Sequence, residues 1–191
     1  DKPIMIWGWA DPGEKIVVVM GSEKADAQAD KAGNWSAKLP ARKATADPQK
    51  IVIEGNNRIE LTDVLIGEVW VGSGQSNMEW QLRNTIGSKE AIEAANHPNL
   101  RLLHVKKVSK PAPEADIVLN DKEGWKPSTP KTVPQFSGAL YYFGLKLHQE
   151  LKVLPATRYW SISHPLTMYP TRDDHIMTAV ERSAQKYVVV E

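Results

Sequence analysis

Val64-Leu65-Ile66-Gly67-Glu68-Val69-Trp70-Val71 is a nearly continuous apolar run, and Gly72-Ser73-Gly74-Gln75-Ser76-Asn77-Met78-Glu79-Trp80 follows it directly. An apolar run of that length predicts one strand buried on both faces of a parallel sheet. The glycines predict a tight turn at its end, and Gln75 to Leu82 reads as the first turns of a helix. Downstream, Ser88 is positioned to cap a short helix through Asn96, with Glu90 in its first turn. His97 before Pro98 reads as the stop of that helix, and Leu100 to Val105 as a second strand. Five prolines between Pro111 and Pro134 predict an irregular connection. Phe136, Leu140, Phe143, Leu147 and Leu151 then step by four, three, four and four, the spacing of an amphipathic helix. Strand, helix, strand, helix is an α/β pattern.

Upstream the pattern differs. Ile4 to Trp9, Lys15 to Met20, Ala25 to Asp30, Trp35 to Leu39, Ile51 to Glu54 and Arg58 to Leu61 are short β-prone stretches separated by turn residues. They predict a small antiparallel β-sandwich over residues 1–63, followed by the α/β segment over 64–153. Residues 154–191 break the logic. No glycine occurs after Gly144 and no asparagine after Asn120, so the usual strand-to-helix punctuation is missing. These residues are expected to form an atypical tail in which only Ala179 to Val190 looks ordered.

Composition narrows the function. In 191 residues, Lys+Arg 24 against Asp+Glu 23 leaves +1, which argues against a broad nucleic-acid surface. No apolar run approaches the roughly 18 residues of a membrane span. Cys 0 excludes disulfides and thiolate chemistry, and the five scattered histidines show no metal-ligand spacing, so no metal or cofactor is expected. Lys106 to Lys110 is a small basic run, too short for nucleic acid, and reads as a solvated loop.

The candidate site residue is Ser76. A serine just past a buried strand lies at the carboxyl edge of the sheet, where open α/β folds place their ligands. The glycines allow substrate to approach the backbone, and a following helix offers N–H groups to a developing oxyanion. This is the logic of a nucleophile elbow, although Met78 stands where Gly-x-Ser-x-Gly needs glycine. The same residues also read as a polar turn with Ser76 or Asn77 as a cap. Trp70, Trp80 and Trp125 are candidates for stacking on sugar rings, with core packing the favoured role of Trp70. His148 reads as a helix-terminus residue.

The stretch Gly67 to Trp80 strongly resembles the start of the catalytic domain of sialate O-acetylesterases, members of the SGNH (GDSL-type) serine hydrolases. Trp7-Gly8-Trp9-Ala10-Asp11-Pro12-Gly13-Glu14, Asp30 to Trp35 and Leu61 to Val64 resemble the β-rich domain preceding it in bacterial members. Trp125, Pro130 to Val133 and Phe136 to Gly144 extend the resemblance, which covers about residues 1–153 in ordered blocks. It implies the first part of a flavodoxin-like α/β/α hydrolase without metal, with Ser76 as the nucleophile on a sugar O-acetyl ester. It also implies that the Ser76 backbone N–H is the first oxyanion donor. A glycine, an asparagine and an Asp–His pair from later blocks complete the family's site.

The tail departs from that pattern, since it offers no later glycine or asparagine. Asp173-Asp174-His175 repeats the family's Asp-x-His spacing, but Ile176 replaces the expected proline, and the pair reads as a chance surface pair. The chain is therefore expected to be a copy incomplete at both ends, with a tail that is a divergent end, a frame-shifted read-through or the end of a truncated paralogue. The resemblance implies an acetylated carbohydrate substrate and an extracytoplasmic setting. A non-catalytic carbohydrate-binding remnant and an acetylxylan esterase are the alternative readings.

Overall fold

Where apolar and polar residues alternate along residues 4–61, one side of each strand is forced into a core. The computed structural model describes residues 3–74, 76–106, 124–151, 155–161, 178–183 and 186–190. Six strands come first: β1 (Ile4–Trp9), β2 (Lys15–Met20), β3 (Glu23–Gln28), β4 (Asn34–Leu39), β5 (Thr45–Glu54) and β6 (Arg58–Ile66). Then come β7 (Glu68–Gly74), α1 (Ser76–Glu79), a 3-10 turn at Leu82–Asn84, α2 (Ser88–Glu93), β8 (His97–His104), β9 (Lys126–Ser128) and α3 (Gly138–Leu151). The later strands are β10 (Pro155–Ser161), β11 (Thr178–Ser183) and β12 (Lys186–Val190). The chain forms two compact units, Asp1–Ile66 with Asp174–Glu191, and Gly67–Asp173.

The first unit holds two antiparallel sheets, ordered β3-β2-β5-β6 and β11-β12-β1-β4. Its core draws on both, with Ile6, Val18 and Ile51 fully buried beside Met20, Leu39 and Leu61. Its turns are tied by side chains. The buried Glu14 carboxylate accepts the backbone N–H of Asp11 at 3.0 Å and of Asn56 at 2.6 Å, joining two turns distant in sequence. Asp30 accepts the backbone N–H groups of Ala32 and Asn34, and Gly33 supplies the left-handed residue of that turn at φ 85°. These hydrogen bonds, the Asn34 backbone N–H foremost, hold the Asp30 carboxyl below its ordinary value.

The second unit is built on a sheet ordered β7-β10-β8-β9, parallel across the first three strands, with β9 antiparallel at its edge. Leu82, Leu100, Val133 and Tyr141 are fully buried in its core. Crossovers of this length between parallel strands need intervening helix, which α3 supplies before β10. The chain is thus sheet-rich, with helices in the second unit among the described residues, compatible with an α/β fold.

Several expectations are corrected. The run from Val64 to Val71 is not one doubly buried strand: Val64–Ile66 end β6 in an antiparallel sheet, and β7 starts at Glu68 in the parallel one. Hydropathy cannot see which sheet a residue joins, and Gly67 marks the change. Trp70 and Val71 are 39% and 49% exposed, on a strand with a strand partner on one flank only among the described residues. The helix expected from Gln75 to Leu82 is the single turn α1, and α2 ends at Glu93 rather than Asn96. Gly87, at φ 71°, precedes α2, so Ser88 lies inside the helix, its hydroxyl donating to the Arg83 carbonyl instead of capping. His97 opens β8 rather than stopping a helix. The tail contributes β10 to the parallel sheet, where Pro155–Ser161 run in register with Glu68–Gly74, and β12 beside β1 with β11 outside it. Backbone pairing does not require the glycine or asparagine punctuation whose absence set the tail apart.

Candidate active site

Ser76 begins α1 two residues beyond the carboxyl end of β7, and its side chain is exposed, as is that of Asn77. The glycines before it have identifiable duties. Gly72 is buried, and a Cβ there would meet both methyl carbons of Leu140 at 2.8 Å, so its hydrogen lets α3 lie on the strand. A Cβ on Gly74 would come within 3.3 Å of the Met78 Cβ, so this glycine lets the turn fold back on itself. The tight turn expected of these glycines thus rests on Gly74, whereas Gly72 serves helix packing.

The turn is held from behind by the start of α3. Ser137 Oγ accepts the Leu140 N–H at 3.3 Å, in the manner of a helix cap, and donates to Met78 Sδ at 3.4 Å. Gly138 N–H donates to the Trp80 carbonyl at 2.8 Å, and Leu82 and Arg83 donate to Phe136 and Pro134. A Cβ on Gly138 would lie 2.6 Å from Thr85 Cγ2, so glycine is what allows this approach. The backbone from Trp80 to Arg83 is thereby fixed to the segment before α3. Sequence reasoning missed this clamp, although Ser137-Gly138 ahead of an apolar helical pattern is a start signal that points to it.

Trp80 and Tyr142 are the aromatic residues with hydrogen bonds on the turn. Trp80 is 57% exposed, and its Nε1 donates to the Asn84 carbonyl at 3.0 Å. Thr85 and Tyr142 hydroxyls lie 3.3 Å apart. Trp70 is not a core residue as expected: it is partly exposed and meets Phe143 edge-on, with ring centroids 5.4 Å apart. Trp125 Nε1 is buried with no partner among the described residues. His148 packs its ring against His97 at 6.0 Å, and burial, with the His148 charge second, pushes the His97 imidazole below its ordinary value. Burial pushes the Tyr141 phenol up.

Ser76 is thus placed on an exposed, supported turn. Asp173 and His175 lie outside the described residues, as do Lys107 to Lys110. Among the described residues no three His, Asp or Glu side chains converge as metal ligands, and no helix is long and apolar enough to cross a membrane.

No protein-family model matches the chain. It is 25% identical over 163 residues to the human sialate O-acetylesterase and 25% identical over 164 residues to that of Mus musculus, 78% of this chain in each case. This chain is similar to sialate O-acetylesterases. It spans about a third of those relatives, covering 31% and 30% of their lengths. A solved structure described as a carbohydrate acetylesterase from Xanthomonas citri superposes with a TM-score of 0.78 at 32% identity. That alignment covers 85% of this chain and 37% of the other. The resemblance to sialate O-acetylesterases is borne out by these matches. The relatives are esterases, and the solved one acts on acetylated carbohydrate by its description.

Proposed function

We propose that this chain carries the nucleophile of a serine esterase that removes O-acetyl groups from carbohydrates, sialic acid among them. The observation that carries this reading is the exposed Ser76 at the head of α1, just past the carboxyl end of parallel strand β7. Its likeness to sialate O-acetylesterases supplies the substrate class. In this reading the first unit is a small antiparallel sandwich accessory to the second, which is the opening part of an SGNH hydrolase domain of flavodoxin-like build. The protein acts outside the cytoplasm.

The chemistry follows from the groups involved. Ser76 Oγ bonds to the acetyl carbonyl carbon as its proton passes to a base. The carbonyl oxygen gains negative charge, which the Ser76 backbone N–H stabilises. With α1 only one turn long, this local N–H matters more than a helix dipole. The sugar oxygen leaves with a proton, and water then cleaves the acetyl–Ser76 ester to release acetate.

A fluorophosphonate probe tests the reading, because it labels only serines activated by a base. Labelling of the full chain that disappears in Ser76→Ala, together with acetate release from O-acetylated sialic acid, is the expected result. A folded wild-type chain that takes no label overturns the reading. Faster acetate release from acetylxylan than from sialic acid would move the assignment to that substrate.

A further inference from the structure

We propose that the indole face of Trp80 is the platform on which the pyranose ring of the acetylated carbohydrate stacks; this rests on the esterase reading of Ser76. Water-exposed tryptophan is unusual, because its ring carries a large apolar area better buried. Trp80 leaves 57% of its surface exposed although Phe136, Leu140 and Tyr141 nearby in the chain fold are buried. Its exposure does not come from looseness. The indole N–H is fixed on the Asn84 carbonyl at 3.0 Å, and the residue's own carbonyl accepts Gly138 N–H at 2.8 Å. Asn84 is in turn held by its N–H on Gln81, and Leu82 by its N–H on Phe136. The ring is therefore held on a hydrogen-bonded turn, with its polar edge already satisfied and more than half of the residue in solvent.

That combination suits a flat, apolar ligand face bordered by hydroxyls. The C–H face of a pyranose is such a surface, and it meets the electron-rich face of an indole favourably. Because the ring is already immobilised, binding orders little that was mobile before. Trp80 also follows Ser76 by four residues, directly after α1, so a sugar resting there is on the same turn as the hydroxyl that meets its acetyl group. Trp70 is less suited, since its ring is engaged edge-on by Phe143.

The test titrates 9-O-acetyl-N-acetylneuraminic acid and acetylated xylotriose against the full chain carrying Ser76→Ala, so that nothing turns over. Saturation-transfer NMR reads which sugar protons touch the protein. Added Trp80→Leu keeps apolar bulk but loses the flat face, and is expected to weaken binding at least tenfold. Trp80→Phe keeps a flat face and is expected to stay within about threefold. Thermal melts of each variant verify folding. Equal binding by Trp80→Leu and the parent overturns the proposal, as does absence of binding to either sugar. Self-association that disappears in Trp80→Leu while sugar binding persists overturns it too, assigning the ring to a contact between copies. Fluorophosphonate labelling of the wild-type chain separates the two readings. Label without sugar binding removes the platform and keeps the esterase; sugar binding that depends on Trp80, without label, keeps the platform and removes the esterase.

Discussion

The two units bury side chains by different rules. In the first, β1, β2 and β4 alternate strictly, so every second residue enters one core and the other half meets solvent. In the second, β7 leaves Trp70 and Val71 largely uncovered, and the core is made where α3, β8 and the turn after α1 converge. Its close contacts are made by missing side chains, Gly72 under Leu140 and Gly138 against Thr85. Alternation gives stability to the first unit. Interlocking glycines give position to an exposed serine and tryptophan.

The widest separation between the units is expected from Ser76→Ala. Acetate release should fall about 10³-fold or more, while stability by urea unfolding stays within about 0.5 kcal/mol, since the side chain is exposed. A large loss of stability would make Ser76 a structural residue and erase the contrast. Next come the glycines. Gly33→Ala forces a side chain onto φ 85° and places its Cβ 2.6 Å from the Ala10 carbonyl oxygen, which backbone cannot easily yield. It should cost about 2–4 kcal/mol. Gly72→Ala meets the side chain of Leu140, itself buried, and should cost about 1–3 kcal/mol. The reverse order in denaturant melts would mean that the helix packs on β7 more rigidly than the Asp30 turn closes.

Acid should separate the units more gently. Burial holds the His97 imidazole of the second unit below its ordinary value, so as pH falls the unfolded chain takes up a proton first. The second unit's stability is therefore full above the ordinary histidine value of 6.5 and declines as pH falls through it. In the first unit Asp30 is lowered from 3.8, so its contribution is full above that value and fades only as pH falls below it. Amide hydrogen exchange at pH 5 should show the second unit weakened and the first unchanged, and His97→Gln should remove the difference. The smallest effect is expected at the exposed Lys146–Glu150 pair on α3, where Glu150→Gln should cost about 0.3–0.5 kcal/mol and nothing in high salt.

Much of this architecture is legible in the residues, for physical reasons. Strands such as Lys15–Met20 announce themselves because period-two alternation is a local property. The serine turn announces itself because a strand, glycines and a serine in sequence describe one turn. What stays hidden depends on distant partners. Nothing in Val64 to Val71 tells which residues pair with which sheet, and nothing around Glu14 announces that its carboxylate will close a turn at Asn56. Phe143 fits the apolar stripe of α3 by spacing, yet it is 43% exposed, and the buried face belongs to Leu140 and Tyr141. The clamp on Trp80 joins residues more than fifty positions apart, a separation no periodicity records.

The sulfur of Met78 gives the serine turn a redox dimension. Met78 lies two residues past Ser76, half-buried, and receives the Ser137 hydroxyl at its thioether. Thioether sulfur is a weak acceptor that fills its space softly, whereas sulfoxide is polar, bulkier and chiral. Peroxide acting at this one atom would put a strong acceptor beside Ser137 and a new oxygen into the packing behind Ser76, without touching the hydroxyl itself. The support of the turn, rather than the Ser76 hydroxyl, is where an oxidant would first be felt.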